Sequence, residues 1–175
     1  MKKLLCAIAS TLCLVAFVSV SQATVLWSSV ASDCTLDSGT SPSKAVIDAT
    51  TGAISFASGQ TGTIRLSCRV TPFSLSGCGS TTYLYQTSAD GDGGNTYDNY
   101  YVTAWLNSIP MGTGTSITNV AHVESQYANK NEMTQSPYIT TSSINFGTNF
   151  YFVSIDIYRL STTYNPTFWG VSLRC

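Results

Sequence analysis

Three segments of the chain alternate apolar and polar residues with a period of two, and two of them place a cysteine on the apolar side. In "TIRLSCRV", residues 63–70, Ile64, Leu66, Cys68 and Val70 take one face, and Thr63, Arg65, Ser67 and Arg69 the other. Successive side chains of a strand point to opposite faces, so this segment reads as a β-strand with its cysteine in the core. "FWGVSLRC", residues 168–175, predicts Trp169, Val171, Leu173 and Cys175 inward and Phe168, Gly170, Ser172 and Arg174 outward. In "YFVSIDIYR", residues 151–159, the inward face is Tyr151, Val153, Ile155 and Ile157. Phe152, Ser154, Asp156 and Tyr158 then face out, with Asp156 expected in solvent.

Further strands are predicted at 24–30, 45–49, 53–57, 81–87, 100–109, 116–124 and 138–144, divided by Gly-rich or Asp/Asn/Pro-containing turns such as "DATTGA", "ASGQTG", "SADGDGGNTYDN" and "PMGTG". Only "VESQYANKNEMTQ", 123–135, leaves room for a turn or two of helix. About ten strands in one chain imply two packed antiparallel sheets or a closed barrel. The expected fold is all-β, an antiparallel β-sandwich of jelly-roll-like topology. No repeat of fixed period supports a propeller or solenoid.

The N-terminal segment predicts the compartment. Lys2 and Lys3 precede an apolar run from Leu4 to Val20, and Ser21-Gln22-Ala23 supplies small residues where a signal peptidase cuts. Residues 1–23 therefore read as a cleaved signal peptide and 24–175 as one domain, secreted or periplasmic. No later stretch is long and apolar enough to anchor the processed chain in a membrane. Cys6 and Cys13 leave with the leader. So do Lys2 and Lys3, while all nine acidic residues lie after it, which makes the processed chain net acidic. That argues against nucleic acid and anionic lipid as partners.

Cys34, Cys68, Cys78 and Cys175 remain. An even number in an oxidising compartment reads as two disulfides, for which three pairings exist. Zinc is the competing reading, but no C-x-x-C unit occurs.

Four features bear on chemistry. His122 is the single histidine, predicted on the outward face of 116–124 with Ser116, Thr118, Val120 and Glu124 and opposite Ile117, Ala121 and Val123. No nucleophile motif accompanies it, so it reads as a surface residue. Asp48, Glu124 and Asp156 are the acids on strands from which a hydrolytic carboxylate pair could be drawn. The loop "SADGDGGNTYDN" carries Asp90, Asp92, Asn95 and Asp98, an oxygen-rich set able to wrap calcium. The EF-hand pattern is incomplete, and turn geometry accounts for the same letters. Ten tyrosines complete the set. Tyr97, Tyr100 and Tyr101 crowd the end of the acidic loop, and Tyr83 and Tyr85 share a strand face. Aromatics exposed on a sheet can stack on sugar rings, although strand propensity also enriches tyrosine.

The segments "VLWSSVASDC", "GAISFASGQTGTIRLSCRV" and "FYFVSIDIYRLSTTYNPTFWGVSL" resemble a group of uncharacterised secreted bacterial β-domain proteins. The resemblance brings no established activity, ligand or catalytic motif. It implies a compact exported β-domain in which Cys34 pairs with Cys68, leaving Cys78 to Cys175. Three classes of function follow. The favoured one is a secreted non-catalytic module binding glycans or cell-envelope components, with Tyr97, Tyr100 and Tyr101 as ligand contacts and calcium at Asp90, Asp92 and Asp98. The others are a self-assembling exported protein, suggested by Ser/Thr/Gly-rich strands with few charged residues at their edges, and a secreted hydrolase using a carboxylate pair.

Overall fold

The alternation over 151–159 and the strand over 167–174 become the central strands of two antiparallel sheets. The computed structural model describes residues 23–89, 99–112, 116–125 and 132–175. Its strands in chain order are β1 (Val25–Val30), β2 (Thr35–Leu36), β3 (Ala45–Ile47), β4 (Ile54–Phe56), β5 (Gly62–Val70), β6 (Thr81–Ala89), β7 (Tyr100–Pro110), β8 (Thr118–Glu124), β9 (Glu132–Gln135), β10 (Ile139–Thr140), β11 (Asn149–Arg159) and β12 (Thr167–Arg174). The first sheet has the order β10-β6-β12-β4-β3, with β1 also on β12 and β9 on β6. The second has the order β2-β5-β11-β7-β8.

The inner faces meet in one core. The first sheet contributes Trp27, Ile54, Phe56, Leu84, Phe168, Val171 and Leu173; the second contributes Ile64, Leu66, Val70, Val102, Ala104, Leu106 and the Val153, Ile155, Ile157 row. This is an all-β sandwich, and each fully buried aliphatic or aromatic side chain favours it by about 1.5–3 kcal/mol. The faces predicted for β5 and β11 are those observed.

Three strands carry bulges, β1 at Leu26 among them, and in the other two the predicted facing is overturned. In β12 the pairing with β6 shifts between Phe168 and Gly170, so Trp169 is the extra residue. Parity flips there: Phe168, expected outside, is 0% exposed, while Trp169, expected in the core, lines depressions on the outer face. Val171 and Leu173, beyond the bulge, point inward as expected. In β8, Leu106 pairs with Ala121 and Asn107 with Asn119, leaving Val120 as the bulged residue. Ile117, placed inward by alternation, is accordingly 61% exposed. A bulge adds one residue to one strand and so reverses the facing of everything before it.

The helical option at 123–135 is not realised in its described residues: β8 runs through Glu124, and β9 lies on β6. The strand expected at 138–144 is cut short after Thr140. A 3₁₀ turn, Thr141–Ser143, follows it, with Thr141 N–H donating to Ser80 C=O at 2.9 Å. Among the described residues no helix is long and apolar enough to cross a membrane. Residues 1–22, including the expected leader, lie outside the described residues.

Both disulfides form as the resemblance implied. Cys34 bridges Cys68 (Cα–Cα 4.4 Å) and Cys78 bridges Cys175 (Cα–Cα 5.4 Å). Cys34 lies where the chain leaves β1 of the first sheet for β2 of the second, so its bridge pins a crossover between layers. With loops of 34 and 97 residues, chain-entropy reasoning assigns about 4 and about 5 kcal/mol of stabilisation.

One cation is built into the structure. Arg159, 4% exposed at the end of β11, donates to the carbonyls of Gln60 and Ala57 and to Asn165 Oδ1, and lies 4.7 Å over the Phe56 ring. Burial lowers its pKa from the ordinary arginine value, with the Tyr100 hydroxyl opposing. Neutral oxygens distributed over two loops compensate the buried charge, so Arg159 fastens 57–60 and 164–165 to the second sheet.

Candidate functional site

The outer face of the second sheet brings the polar and aromatic groups together. On β11 the outward residues are Phe152, Ser154, Asp156 and Tyr158; on β7 they are Tyr101, Thr103, Trp105 and Asn107. Register then builds cross-strand rows. Tyr158 stands opposite Tyr101 and Thr63; Asp156 opposite Thr103 and Arg65, with Glu124 beyond Thr103; Ser154 opposite Trp105 and Ser67, with His122 beyond Trp105; and Phe152 opposite Asn107 and Arg69. From Phe152 to Tyr158 the strip is about 20 Å long at the rise of an extended strand.

Two aromatic stacks stand on it. Tyr101 and Tyr158 stack at 5.0 Å between centroids and 26° between planes; Trp105 and His122 stack at 4.7 Å and 18°. Trp105 is 37% exposed and His122 is exposed as well. Between the stacks, Arg65 Nε lies 3.6 Å from Asp156 Oδ1, with side-chain exposures of 59% and 35%. Asp156 is thus half-buried rather than freely solvated. Desolvation raises its pKa above the ordinary value, Arg65 opposes the rise, and Asp37 adds to it. Asn107 Nδ2 donates to Ser154 Oγ at 2.9 Å and to Trp105 C=O at 3.0 Å, which fixes the amide beside the indole. At the Phe152 end the strip meets a groove of about 360 Å³ lined by Arg69, Met111, Phe146, Phe150 and Phe152.

The predicted ligand tyrosines separate. Tyr100 points into the core side of β7, where its hydroxyl hydrogen-bonds Ser161 Oγ and its ring meets Tyr164 edge-on. Tyr101, the next residue, faces outward, so the two do not line one surface. Tyr97 and the candidate calcium ligands Asp90, Asp92 and Asp98 lie outside the described residues. Among the described residues no group of three or more His, Cys, Asp or Glu is placed to hold a metal ion. Of the three strand acids, Asp156 and Glu124 share a row across β7, about 10 Å apart at the Cα atoms by strand spacing. Asp48 sits on the other sheet, where its carboxylate accepts the amides of Thr50 and Thr51 at 2.7 and 3.1 Å. Those two hydrogen bonds hold its pKa below the ordinary value.

Sequence reasoning passed over Trp105 and set His122 aside. The signal available was parity: Trp105 is four residues from Tyr101 and shares its face. The pairing with His122 depends on inter-strand register, which the bulge at Val120 shifts.

Chemically the strip offers flat π-faces for C–H surfaces and a half-buried carboxylate beside a guanidinium, with Thr103 and Asn107 buried between the rings. No family model matches the chain, and no curated protein matches it. Among solved structures it is similar to the xylan-binding module CBM15, at 11% identity over 85% of this chain and 96% of that one, with a TM-score of 0.46. It is also similar to the carbohydrate-binding module CBM36 in complex with calcium and xylotriose, at 11% identity, 85% and 99% coverage and a TM-score of 0.43. A third is the low affinity xylan binding module CBM86 from Roseburia intestinalis, at 11%, 87% and 96%, and 0.39. At these scores and identities the likeness decides neither the ligand nor the site of this chain.

Proposed function

We propose that the protein is an exported, non-catalytic carbohydrate-binding module whose ligand lies along the outer face of the second sheet. One observation carries the reading: the Trp105–His122 and Tyr101–Tyr158 stacks flank the Asp156–Arg65 pair on a single open strip. Sugar rings present an apolar C–H face and a rim of hydroxyls. Stacked aromatics receive the first, and carboxylate and guanidinium receive the second. The two disulfides support an oxidising compartment, in keeping with the leader read at residues 1–23.

A second reading rests on Asp156 and Glu124 sharing one row, since inverting glycosidases hold two carboxylates about 6.5–9.5 Å apart. Among the described residues, however, no segment lies over the strip to exclude water from a reacting bond.

Affinity electrophoresis against soluble xylan, mannan, β-glucan and peptidoglycan fragments tests the proposal. The expected outcome is retardation by at least one polymer that Trp105→Ala and Tyr158→Ala each reduce about tenfold or more. Unchanged mobility across the panel, or variants that bind like the parent, would refute it. Release of reducing ends that Glu124→Gln abolishes would move the assignment to the hydrolase.

A further inference from the structure

We infer that the outer face of the first sheet carries a second saccharide site, built around Trp169 and suited to a neutral sugar chain. The starting point is the bulge in β12. Phe168 fills the core position at that level, so packing of the interior does not require the indole of Trp169. Bulges re-aim a side chain, and here the residue re-aimed is the largest in the strand.

What surrounds the indole is two adjoining depressions, and Trp169 lines both. One, of about 230 Å³, is bordered by Ser28, Ser29, Thr87 and Ser172. The other, of about 590 Å³, is bordered by Asp48, Thr51, Ser55 and Thr167. Hydroxyls from four strands, β1, β4, β6 and β12, and a turn therefore border one aromatic group. The floor between β1 and β12 is tightly built: a Cβ on Gly170 would stand 2.7 Å from the Ser29 carbonyl oxygen, so the backbones meet beside the indole with no side chain between them.

Charge narrows the ligand. The Asp48 carboxylate is occupied by the amides of Thr50 and Thr51. Arg174 donates from Nε to Ser172 Oγ at 2.9 Å and lies 5.0 Å over the Tyr85 ring. Both charged groups at the depressions are thus engaged within the protein, and what faces outward is an indole among hydroxyls and the exposed side chains of Val30 and Val46. A neutral pyranose chain matches that set, with its C–H face on the indole and its hydroxyls toward serine and threonine. Among the described residues lining the depressions, an anionic chain would meet Arg174 alone as a cation, and that one is already engaged with Ser172 and Tyr85. The second sheet's outer face is on the opposite side of the sandwich, so one molecule would hold two chains, or two parts of one, and gain avidity without further contacts.

The test uses isotope-labelled protein and three probes at millimolar concentration: cellohexaose, xylohexaose and mannohexaose. The chain has three tryptophans, and their indole N–H resonances report Trp27 in the core, Trp105 on one face and Trp169 on the other. In the Trp105→Ala protein at least one probe is expected to move the Trp169 resonance and leave that of Trp27 in place. Adding Trp169→Phe, or Ser55→Arg to fill the larger depression with the indole intact, should weaken that binding about tenfold or more. A Trp169 resonance unmoved by every probe overturns the inference. In the parent protein the two faces fail separately: movement of the Trp105 resonance alone sustains the first site and removes this one, and movement of Trp169 alone does the reverse.

Discussion

Asp156 shows how a residue read as an ordinary surface acid acquires a distinct environment once its neighbours are known. Its raised pKa, set first by burial, means that the folded protein holds this proton at pH values where the unfolded chain has released it. Stability therefore falls as pH rises from the ordinary value of 3.8 through the raised one. Arg65 opposes the rise from a partly exposed position and offsets only part of it. Asp156→Asn is expected to melt at or slightly above the parent at pH 7, within about 1 kcal/mol, and the difference should close as pH falls below the carboxylate range. Thermal melts of both proteins from pH 3 to pH 8 measure this. A variant clearly less stable at pH 7 would show that the ion pair outweighs the desolvation.

At the scale of the element, the strands with unbroken alternation were legible in the sequence, and those with a bulge were legible only in part. β5 and β11 carry their inward residues where period two puts them, because every position in them pairs one to one. β12 and β8 each take one extra residue, which inverted the facing of Phe168, Trp169 and Ile117. The site suffered more than the fold. Parity alone separates Tyr100 from Tyr101, whereas the meeting of Trp105 with His122 needs the register between two strands, which no single segment encodes. The bulge also yields a prediction of its own. Gly170→Ala drives a methyl to 2.7 Å from the Ser29 carbonyl oxygen, a backbone atom that cannot rotate away. It should destabilise by about 1–3 kcal/mol, as overpacking does. Denaturant unfolding reads the loss, and hydrogen exchange should place it in β1 and β12 rather than in the second sheet. A variant as stable as the parent would mean that β1 yields at little cost.

At the scale of the whole molecule, the layers are interleaved along the chain. The second sheet takes β2 and β5 from the first half of the sequence and β7, β8 and β11 from the remainder, and the first sheet likewise draws on both. The disulfides are not interleaved. Cys34–Cys68 closes before residue 71 and Cys78–Cys175 opens after residue 77, and the stretch between them is largely exposed. A single peptide cleavage within 71–77 would therefore leave two covalently independent pieces, seen as two bands on a gel run without reductant, that co-elute as one particle before denaturation. The domain is in effect two closed rings of chain zipped together by hydrogen bonds, which makes that short stretch the natural place to divide it into complementing fragments.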